Sequence, residues 1–208
     1  MIMEKKQLPS GWCWEKLGEI CELATGGTPT SGVREYYEGG SIKWLVSGDI
    51  HQGEIFDCPN RITELGLKNS NAKYLPVDSV LIALNGQGKT RGTVAILRTI
   101  ATCNQSLVAI NPIDKNMLVS EYLYYVLKSM YQLIRDITGD KHRSGLSMSL
   151  VKTIEIPLPP LSDQKRIVKV LNEQISTVEK ARKKAEEQLS VIEAMPSALF
   201  QKAFRGEI

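Results

Sequence analysis

Hydrophobic residues in the first three quarters of the chain fall in short runs. Runs rich in β-branched side chains occupy residues 42–46, 79–84, 93–97, 105–110 and 153–158, and Gly, Pro, Asn or Asp flanks them. Apolar runs of four to eight residues with such boundaries are typical of β-strands. We therefore predict that these five segments build the sheet structure of a first domain.

One longer segment has the spacing of an amphipathic helix. Its apolar residues recur three or four positions apart, at Leu123, Val126, Leu127, Met130, Leu133, Ile134 and Ile137. Ser120 is the predicted N-cap, and Gly139 is predicted to end the helix. An apolar stripe of this kind packs on a sheet. With uneven strand spacing and few helices between the strands, the pattern favours an α+β fold over a regular βαβ array.

Prolines mark a boundary at the end of this domain. Pro157, Pro159 and Pro160 disfavour both sheet pairing and an early helix. Ser162 is the predicted N-cap of a new helix, with Asp163 in its first turn. We therefore predict two domains, a mixed domain over residues 1–160 and a helical domain with a short tail over residues 161–208.

The helical domain carries a heptad pattern. Seven apolar residues and Arg182 form one seam, spaced alternately three and four apart: Val168, Leu171, Ile175, Val178, Ala185, Leu189 and Ile192 are the apolar members. A 3.5-residue period over more than three heptads predicts a left-handed coiled coil with a partner helix. About 30 residues at 1.5 Å each make this helix about 45 Å long. The alternative is a helix that folds back on its own domain.

Composition places the chain among folded globular proteins. It has 208 residues, of which 42% are hydrophobic and 24% are charged. No apolar run approaches the ~20 residues of a membrane helix, and the N-terminus leads into no apolar segment, so we expect a cytoplasmic protein. Four cysteines without CxxC spacing and two histidines predict reduced thiols and no metal site. A net charge of +3 does not by itself indicate nucleic acid.

A Gly-rich segment after the second predicted strand carries Lys89, Thr90 and Arg91. Residues 83–90 match a relaxed phosphate-loop pattern, with Ala83 in place of the first glycine. A phosphate loop must open a helix, whereas residues 91–97 read as another strand. We therefore interpret the Gly-rich turn that carries Lys89, Thr90 and Arg91 between the two strands as a basic loop able to approach a DNA backbone. The alternative is a nucleotide-dependent enzyme that uses Gly88, Lys89 and Thr90.

A second candidate loop follows the predicted helix. Residues 139–145 place Lys141, His142 and Arg143 between two glycines. Arginine pairs with guanine edges and lysine with phosphates, so Arg143 is predicted to read a base and Lys141 to anchor the backbone. The alternative is a solvated surface loop without function. No spacing typical of a catalytic site or of a cofactor fingerprint occurs, so neither catalytic residues nor cofactors are predicted.

Several segments resemble the specificity subunits of type I restriction–modification enzymes. Near the N-terminus these are Leu8-Pro9-Ser10-Gly11-Trp12, Leu17-Gly18-Glu19-Ile20, Gly26-Gly27-Thr28-Pro29 and Ser47-Gly48-Asp49-Ile50. Residues 154–167, with Pro157, Pro160 and Gln164, resemble the junction between a recognition domain and a conserved helix. Residues 199–207 resemble the end of one repeat.

The resemblance implies a DNA-reading subunit without catalytic activity. Its recognition domain would bind a half-site of double-stranded DNA, and its helix would dock methylation subunits, which methylate adenine, in complexes that can also hold a restriction subunit. Family members usually carry two recognition domains and two helices, whereas this sequence has one of each. Two copies with antiparallel helices would restore the pair, and two-fold symmetry would then require an interrupted palindrome as target.

Two other interpretations stay open at this point. The chain is half of a longer subunit, or it is a coiled-coil adaptor whose first domain binds protein instead of DNA.

Overall fold

The computed structural model describes residues 7–86, 88–137 and 145–207. It divides into two compact units, one ending at Lys165 and the other beginning at Arg166. The predicted α+β class is confirmed, because the first unit contains mixed sheets with short helices and a long helix supplies nearly all of the second.

The elements are as follows. The strands are β1 Cys13–Lys16, β2 Cys21–Thr25, β3 Ile42–Leu45, β4 Glu54–Ile55, β5 Arg61–Ile62, β6 Val80–Ala83, β7 Val94–Leu97, β8 Thr102–Cys103, β9 Leu107–Pro112 and β10 Glu155–Leu158. The α-helices are α1 Leu17–Ile20, α2 Glu64–Lys68, α3 Ser120–Ser129, α4 Tyr131–Ile137, α5 Met148–Lys152 and α6 Leu161–Phe204. Two 3₁₀ helices occupy Arg34–Tyr36 and Ser47–Gln52.

A five-stranded sheet forms the centre of the first unit. Its strand order is β2-β9-β6-β7-β4, and every neighbouring pair is antiparallel except β4 and β7. All residues of β6 and β7 are buried, which explains why both are continuous apolar runs. The predicted strands at 42–46, 79–84, 93–97, 105–110 and 153–158 correspond to β3, β6, β7, β9 and β10.

A three-stranded sheet, β5-β3-β8, adjoins a second, smaller core. Ile42, Ile62 and Ala72 are buried there, and Tyr37 and Trp44 pack edge to face with ring centroids 6.0 Å apart. A third sheet pairs β1 with β10 and so joins the two ends of the first unit.

The helix predicted from residue 120 to Gly139 is two helices. The first, α3, ends at Ser129, and α4 begins at Tyr131 after the C-cap Met130. Ser120 is also not the N-cap: it is the first helical residue, and the cap is Val119. The backbone N–H of Val119 donates to Oε1 of Gln164, 2.9 Å away. The side-chain amide of Gln164 therefore satisfies the N–H of Val119. The serine at position 120 gives no indication of this long-range contact.

The long helix α6 differs from the prediction at both ends. It begins at Leu161, one residue before the predicted cap Ser162, and it runs through Pro196 to Phe204. Its 44 residues make it about 66 Å long, against the predicted 45 Å. An interior proline removes one backbone hydrogen bond and crowds the carbonyl four residues earlier, but its φ angle is helical, and α6 continues past Pro196 despite this cost. None of the helices in the described ranges combines the length and apolarity needed to cross a membrane.

Candidate nucleic-acid interface

The strand registers of the central sheet bring several loops to one end of it. Thr25 pairs with Val108, Ala83 with Leu107, and Ile82 with Val94. Consequently β2 and β6 finish where β9 and β7 start. We call this the loop end of the sheet, defined by the strand termini Thr25, Ala83, Val94 and Leu107.

The basic loop, described over residues 84–86 and 88–93, connects β6 to β7 at the loop end. The ladder between the strands continues into it, because Gly92 N donates to Ala83 O (2.9 Å) and Ala83 N donates to Thr93 O (3.0 Å). Gly88 and Gly92 have φ angles of 59° and 79°, which glycine adopts without strain. Residues 88–93 therefore form a defined turn that leads into an antiparallel strand.

Side chains from two other segments hold this turn in place. Arg135 of α4 donates from Nη1 to the carbonyl oxygens of Gly88 (2.9 Å) and Arg91 (3.2 Å). The hydroxyl of Tyr131 donates to Lys89 O at 2.9 Å. His51 Nε2 and Thr90 Oγ1 are hydrogen-bonded at 3.0 Å. The backbone of the basic loop is thus positioned by α4 and by the 3₁₀ helix that precedes β4.

The two cations of the basic loop differ in how accessible their donors are. Lys89 is exposed, and its ammonium contacts no acceptor among the described residues. Arg91 is half-buried, and its Nε is enclosed with no hydrogen-bond partner in the described part of the chain. Thr90 uses its hydroxyl in the contact with His51. The predicted residues Lys89, Thr90 and Arg91 therefore lie together, with Lys89 most accessible to an anion.

The geometry of this loop differs from that of a phosphate loop. The turn over residues 88–93 leads directly into β7, an antiparallel neighbour of β6. A phosphate loop instead opens a helix whose N-terminal N–H groups face the phosphates. The predicted strand after Thr90 accounts for this difference, and the nucleotide-dependent alternative loses its structural basis.

Lys141, His142 and Arg143 lie outside the described residues, but the described flanks of their segment contact the basic loop. On one side, Arg135 binds the carbonyls of Gly88 and Arg91. On the other side, Leu146 N donates to Leu84 O at 3.0 Å. Gly145 packs so tightly that an added Cβ would lie 1.7 Å from Oδ1 of Asn85.

Three residues of this site, Arg135, Tyr131 and His51, are not among those predicted from sequence. Arg135 and Tyr131 lie in the predicted helix, where only the apolar stripe carried a signal. Their spacing of four residues is the remaining local clue, since Arg135 lies over the Tyr131 ring at 5.4 Å from its centroid. His51 reaches the loop through the parallel pairing of β4 with β7, which no local pattern indicates.

The second unit presents the predicted seam on α6. Val178, Leu189 and Ile192 are 66%, 54% and 61% exposed in the isolated chain. Arg182, the polar seam residue, pairs with Glu186 one turn later at 2.8 Å. Val191, Met195, Leu199 and Phe200 are exposed as well. Large apolar residues along a helix are costly to expose, so the helix carries a surface suited to a partner.

Comparison with known proteins identifies the class. Residues 9–188 match the family model of the type I restriction modification DNA specificity domain. The chain belongs to this family. Its curated relatives include the type I restriction enzyme MjaIX specificity subunit of Methanocaldococcus jannaschii, 32% identical over 95% of the chain. The EcoR124I/EcoR124II specificity subunit of Escherichia coli is 30% identical over 76% of the chain.

Solved structures share the fold of this chain. A chain from a study of complex assembly and conformational transition in the type I R-M system superposes with a TM-score of 0.72 at 25% identity, covering 99% of this chain. The HsdS subunit of Thermoanaerobacter tengcongensis has the same fold, with a TM-score of 0.65. The chain spans 45% and 40% of the two curated relatives and 49% and 48% of the two solved chains.

Proposed function

We propose that this chain is a sequence-reading subunit that binds one half-site of a bipartite DNA target and performs no chemistry itself. Residues 1–160 act as the target-recognition domain, and residues 161–208 act as spacer and dimerisation helix. Methyl transfer to adenine belongs to methylation subunits docked by this chain, and cleavage belongs to a restriction subunit where one is present. The observation that carries the proposal is the anchored basic loop with its free Lys89 ammonium.

The basic loop and the segment with Lys141, His142 and Arg143 would act as one surface. Support comes from the described flanks of that segment, since Arg135 and Leu146 both hydrogen-bond to the basic loop. Pre-positioned loops on a sheet are a common way to hold base-reading side chains. In this arrangement Lys89 and Lys141 anchor phosphates, Arg143 reads a base edge, and Thr90, Arg91 and His142 complete the surface.

The deciding experiment is co-expression with a methylation subunit, followed by sequencing of the methylated sites. It yields the target, its symmetry and its spacer together. Methylation directed to one defined motif is expected. Methylation that is absent or independent of this chain would contradict the proposed function.

Substitutions then separate anchoring from base reading. Lys89→Ala should weaken binding to target and unrelated duplexes alike and lower the salt slope by about 1, because a phosphate contact is lost. Arg143→Ala should cost about 1–3 kcal/mol and relax the preference at one base pair. Lys115→Ala is the control, since Lys115 is exposed and follows β9 at the opposite end of the sheet. Equal binding by all three variants would reject the assigned contacts.

We further propose that two copies of the chain pair through antiparallel α6 helices. The proposal is supported by the exposed seam residues Val178, Leu189 and Ile192. The remaining predicted contacts are Val168, Leu171, Ile175 and Ala185. A two-fold axis makes identical domains read the same sequence on opposite strands, so the methylated motif should be an interrupted palindrome. An asymmetric bipartite motif would reject the symmetric pair.

A further inference from the structure

A polar cleft of about 540 Å³ lies at the loop end of the sheet. We call it the amide cleft; its lining is residues 26–28, residues 68–71 and Gln105. The first group directly follows β2, and Gln105 lies in the turn that precedes β9. The registers of β2 and β9 therefore place the cleft at the same end of the sheet as the basic loop.

Two glycines let the walls of the cleft approach each other. A Cβ on Gly26 would lie 1.7 Å from the carbonyl oxygen of Cys103, and one on Gly27 would lie 2.8 Å from the backbone nitrogen of Ala72. The main chain also bonds here, with Gly27 N donating to Cys103 O at 3.0 Å. Burial raises the pKa of the Cys103 thiol to about 12, so this residue stays neutral at physiological pH. The backbone around Gly26 and Gly27, which lines the cleft, is thus closely packed.

The lining of the cleft is rich in available donors. Thr28 donates to Oε1 of Gln105 at 2.6 Å, which occupies the acceptor of that amide and leaves Nε2 as a donor. The Lys68 ammonium and the Asn71 side-chain amide have no hydrogen-bond or ion-pair partner among the described residues. None of the lining residues is acidic. An ammonium beside amide N–H groups is a donor set suited to a phosphate oxygen.

The strand order gives the width of the loop end, which is comparable to a groove of a DNA duplex. Three strand spacings separate β2 from β7 in the order β2-β9-β6-β7. At ~4.8 Å per strand this amounts to about 14 Å. The major groove of B-DNA is ~12 Å wide. A duplex that contacts the basic loop can therefore bring the backbone across its groove to the amide cleft.

We infer that the amide cleft is a second DNA contact that binds a phosphodiester of the backbone across the groove from the basic loop. This inference rests on the proposed function and adds a location and a ligand class to it. Lys68, Asn71 and Gln105 are the contacting side chains. They bind phosphate and not base edges, so they strengthen binding to every sequence equally.

The test uses the complex with a methylation subunit and compares two double variants. Lys68→Ala with Asn71→Ala should lower affinity for target and unrelated duplexes by about tenfold each, as expected for losing hydrogen bonds to a charged group. The slope of log affinity against log salt should fall by about 1, and the methylated motif should not change. Lys115→Ala with Asn116→Ala makes the same chemical change at the opposite end of the sheet and should leave affinity unaltered.

A third variant tests the sign of the charge bound in the cleft. Gln105→Glu keeps the side-chain length and the acceptor for Thr28, and it adds a negative charge. Repulsion of a phosphate should lower the affinity for all duplexes, with the melting temperature of the free protein as the check on folding.

The outcomes distinguish this inference from the proposed function. If unsubstituted protein binds its target and the cleft variants bind equally well, the inference is overturned and the proposed function stands. An altered methylated motif with unchanged binding to unrelated DNA would overturn the phosphate assignment in favour of base reading. Absence of DNA binding by the unsubstituted complex would overturn both.

Discussion

The two units of this protein are stabilised in opposite ways. The first unit joins residues far apart in sequence: Trp12 Nε1 donates to Oδ2 of Asp163 at 3.4 Å across 151 positions, and β1 pairs with β10. Beyond Lys165, helix α6 has local hydrogen bonds, and its large apolar side chains from Val178 onward are exposed. Long helices gain most of their stability from packing an apolar face. The first unit carries its own core, whereas the helix exposes an apolar surface that we propose pairs with a second copy.

The largest change in free energy is expected at the proposed contact between two α6 helices. Leu189→Asp places a carboxylate in the apolar seam of each copy. Because the lost apolar contacts and the buried charge act twice per dimer, we expect the free energy of dimerisation to weaken by at least about 4 kcal/mol, roughly a thousandfold in Kd. Sedimentation equilibrium measures this change.

Ser190→Asp is the matched control for the seam. It introduces the same carboxylate one residue further along α6, outside the heptad seam, and should keep the mass of a dimer. The thermal unfolding of the first unit should be the same in both variants. A Leu189→Asp protein with the mass of a dimer would show that the seam is not the contact between copies.

A smaller loss is expected inside the first unit, at the buried amide of Gln164. Its side chain is fully buried, donates from Nε2 to the carbonyls of Met117 (2.8 Å) and Pro159 (2.9 Å), and accepts from Val119 N–H. Gln164→Leu leaves these backbone groups without their partner. We expect the free energy of unfolding to fall by about 2–3 kcal/mol, measured by urea denaturation.

The exposed residue Gln52 provides the comparison for this substitution. Gln52→Leu makes the same chemical change at the surface of the same unit, and its effect should stay within about 0.5 kcal/mol. Similar losses in both variants would mean that the buried amide contributes nothing beyond its packing.

The two units also differ in how much of their structure can be predicted from sequence. Helix α6 follows a local pattern, so its existence is predictable from sequence, while its heptad seam stays a prediction. Buried strands such as β6 and β7 are predictable because each is a continuous apolar run. Strand β2, Cys-Glu-Leu-Ala-Thr, was missed because a half-buried strand of mixed composition lacks such a run. The loop end was also beyond prediction. It exists through strand registers, which bring Gln105 and the basic loop together only in the folded chain.

The predicted N-caps of two helices were wrong for a related physical reason. The predicted caps Ser120 and Ser162 follow a local rule about hydroxyl side chains, yet the N–H of Val119 is satisfied by Gln164, 45 residues away. Gln164 itself appeared only within the junction that resembles the specificity subunits. Propensity rules describe the conformation that an isolated segment prefers. Contacts between residues far apart in sequence override this preference in the folded chain.

The smallest of the three effects concerns Arg98, which joins separate elements by charge. It contacts Glu54 (2.8 Å), Asp78 (2.6 Å) and Glu121 (3.0 Å), carboxylates that belong to β4, to the turn before β6 and to α3. Arg98→Met keeps the aliphatic stem and leaves the three carboxylates facing one another. All of these side chains retain some exposure to solvent, which screens the charges. We therefore expect a loss of about 1–2 kcal/mol in unfolding free energy.

Salt and a matched variant separate this charge effect from packing. Arg34→Met removes an arginine whose pair with Glu38 is 3.8 Å long and largely exposed, and it should change stability by less than about 0.5 kcal/mol. The destabilisation in Arg98→Met should shrink in 1 M salt, because screening weakens repulsion among the carboxylates left behind. A loss of stability that is independent of salt would show that Arg98 acts through packing of its aliphatic stem. Its contacts with Glu54, Asp78 and Glu121 would then add nothing to the stability of the first unit.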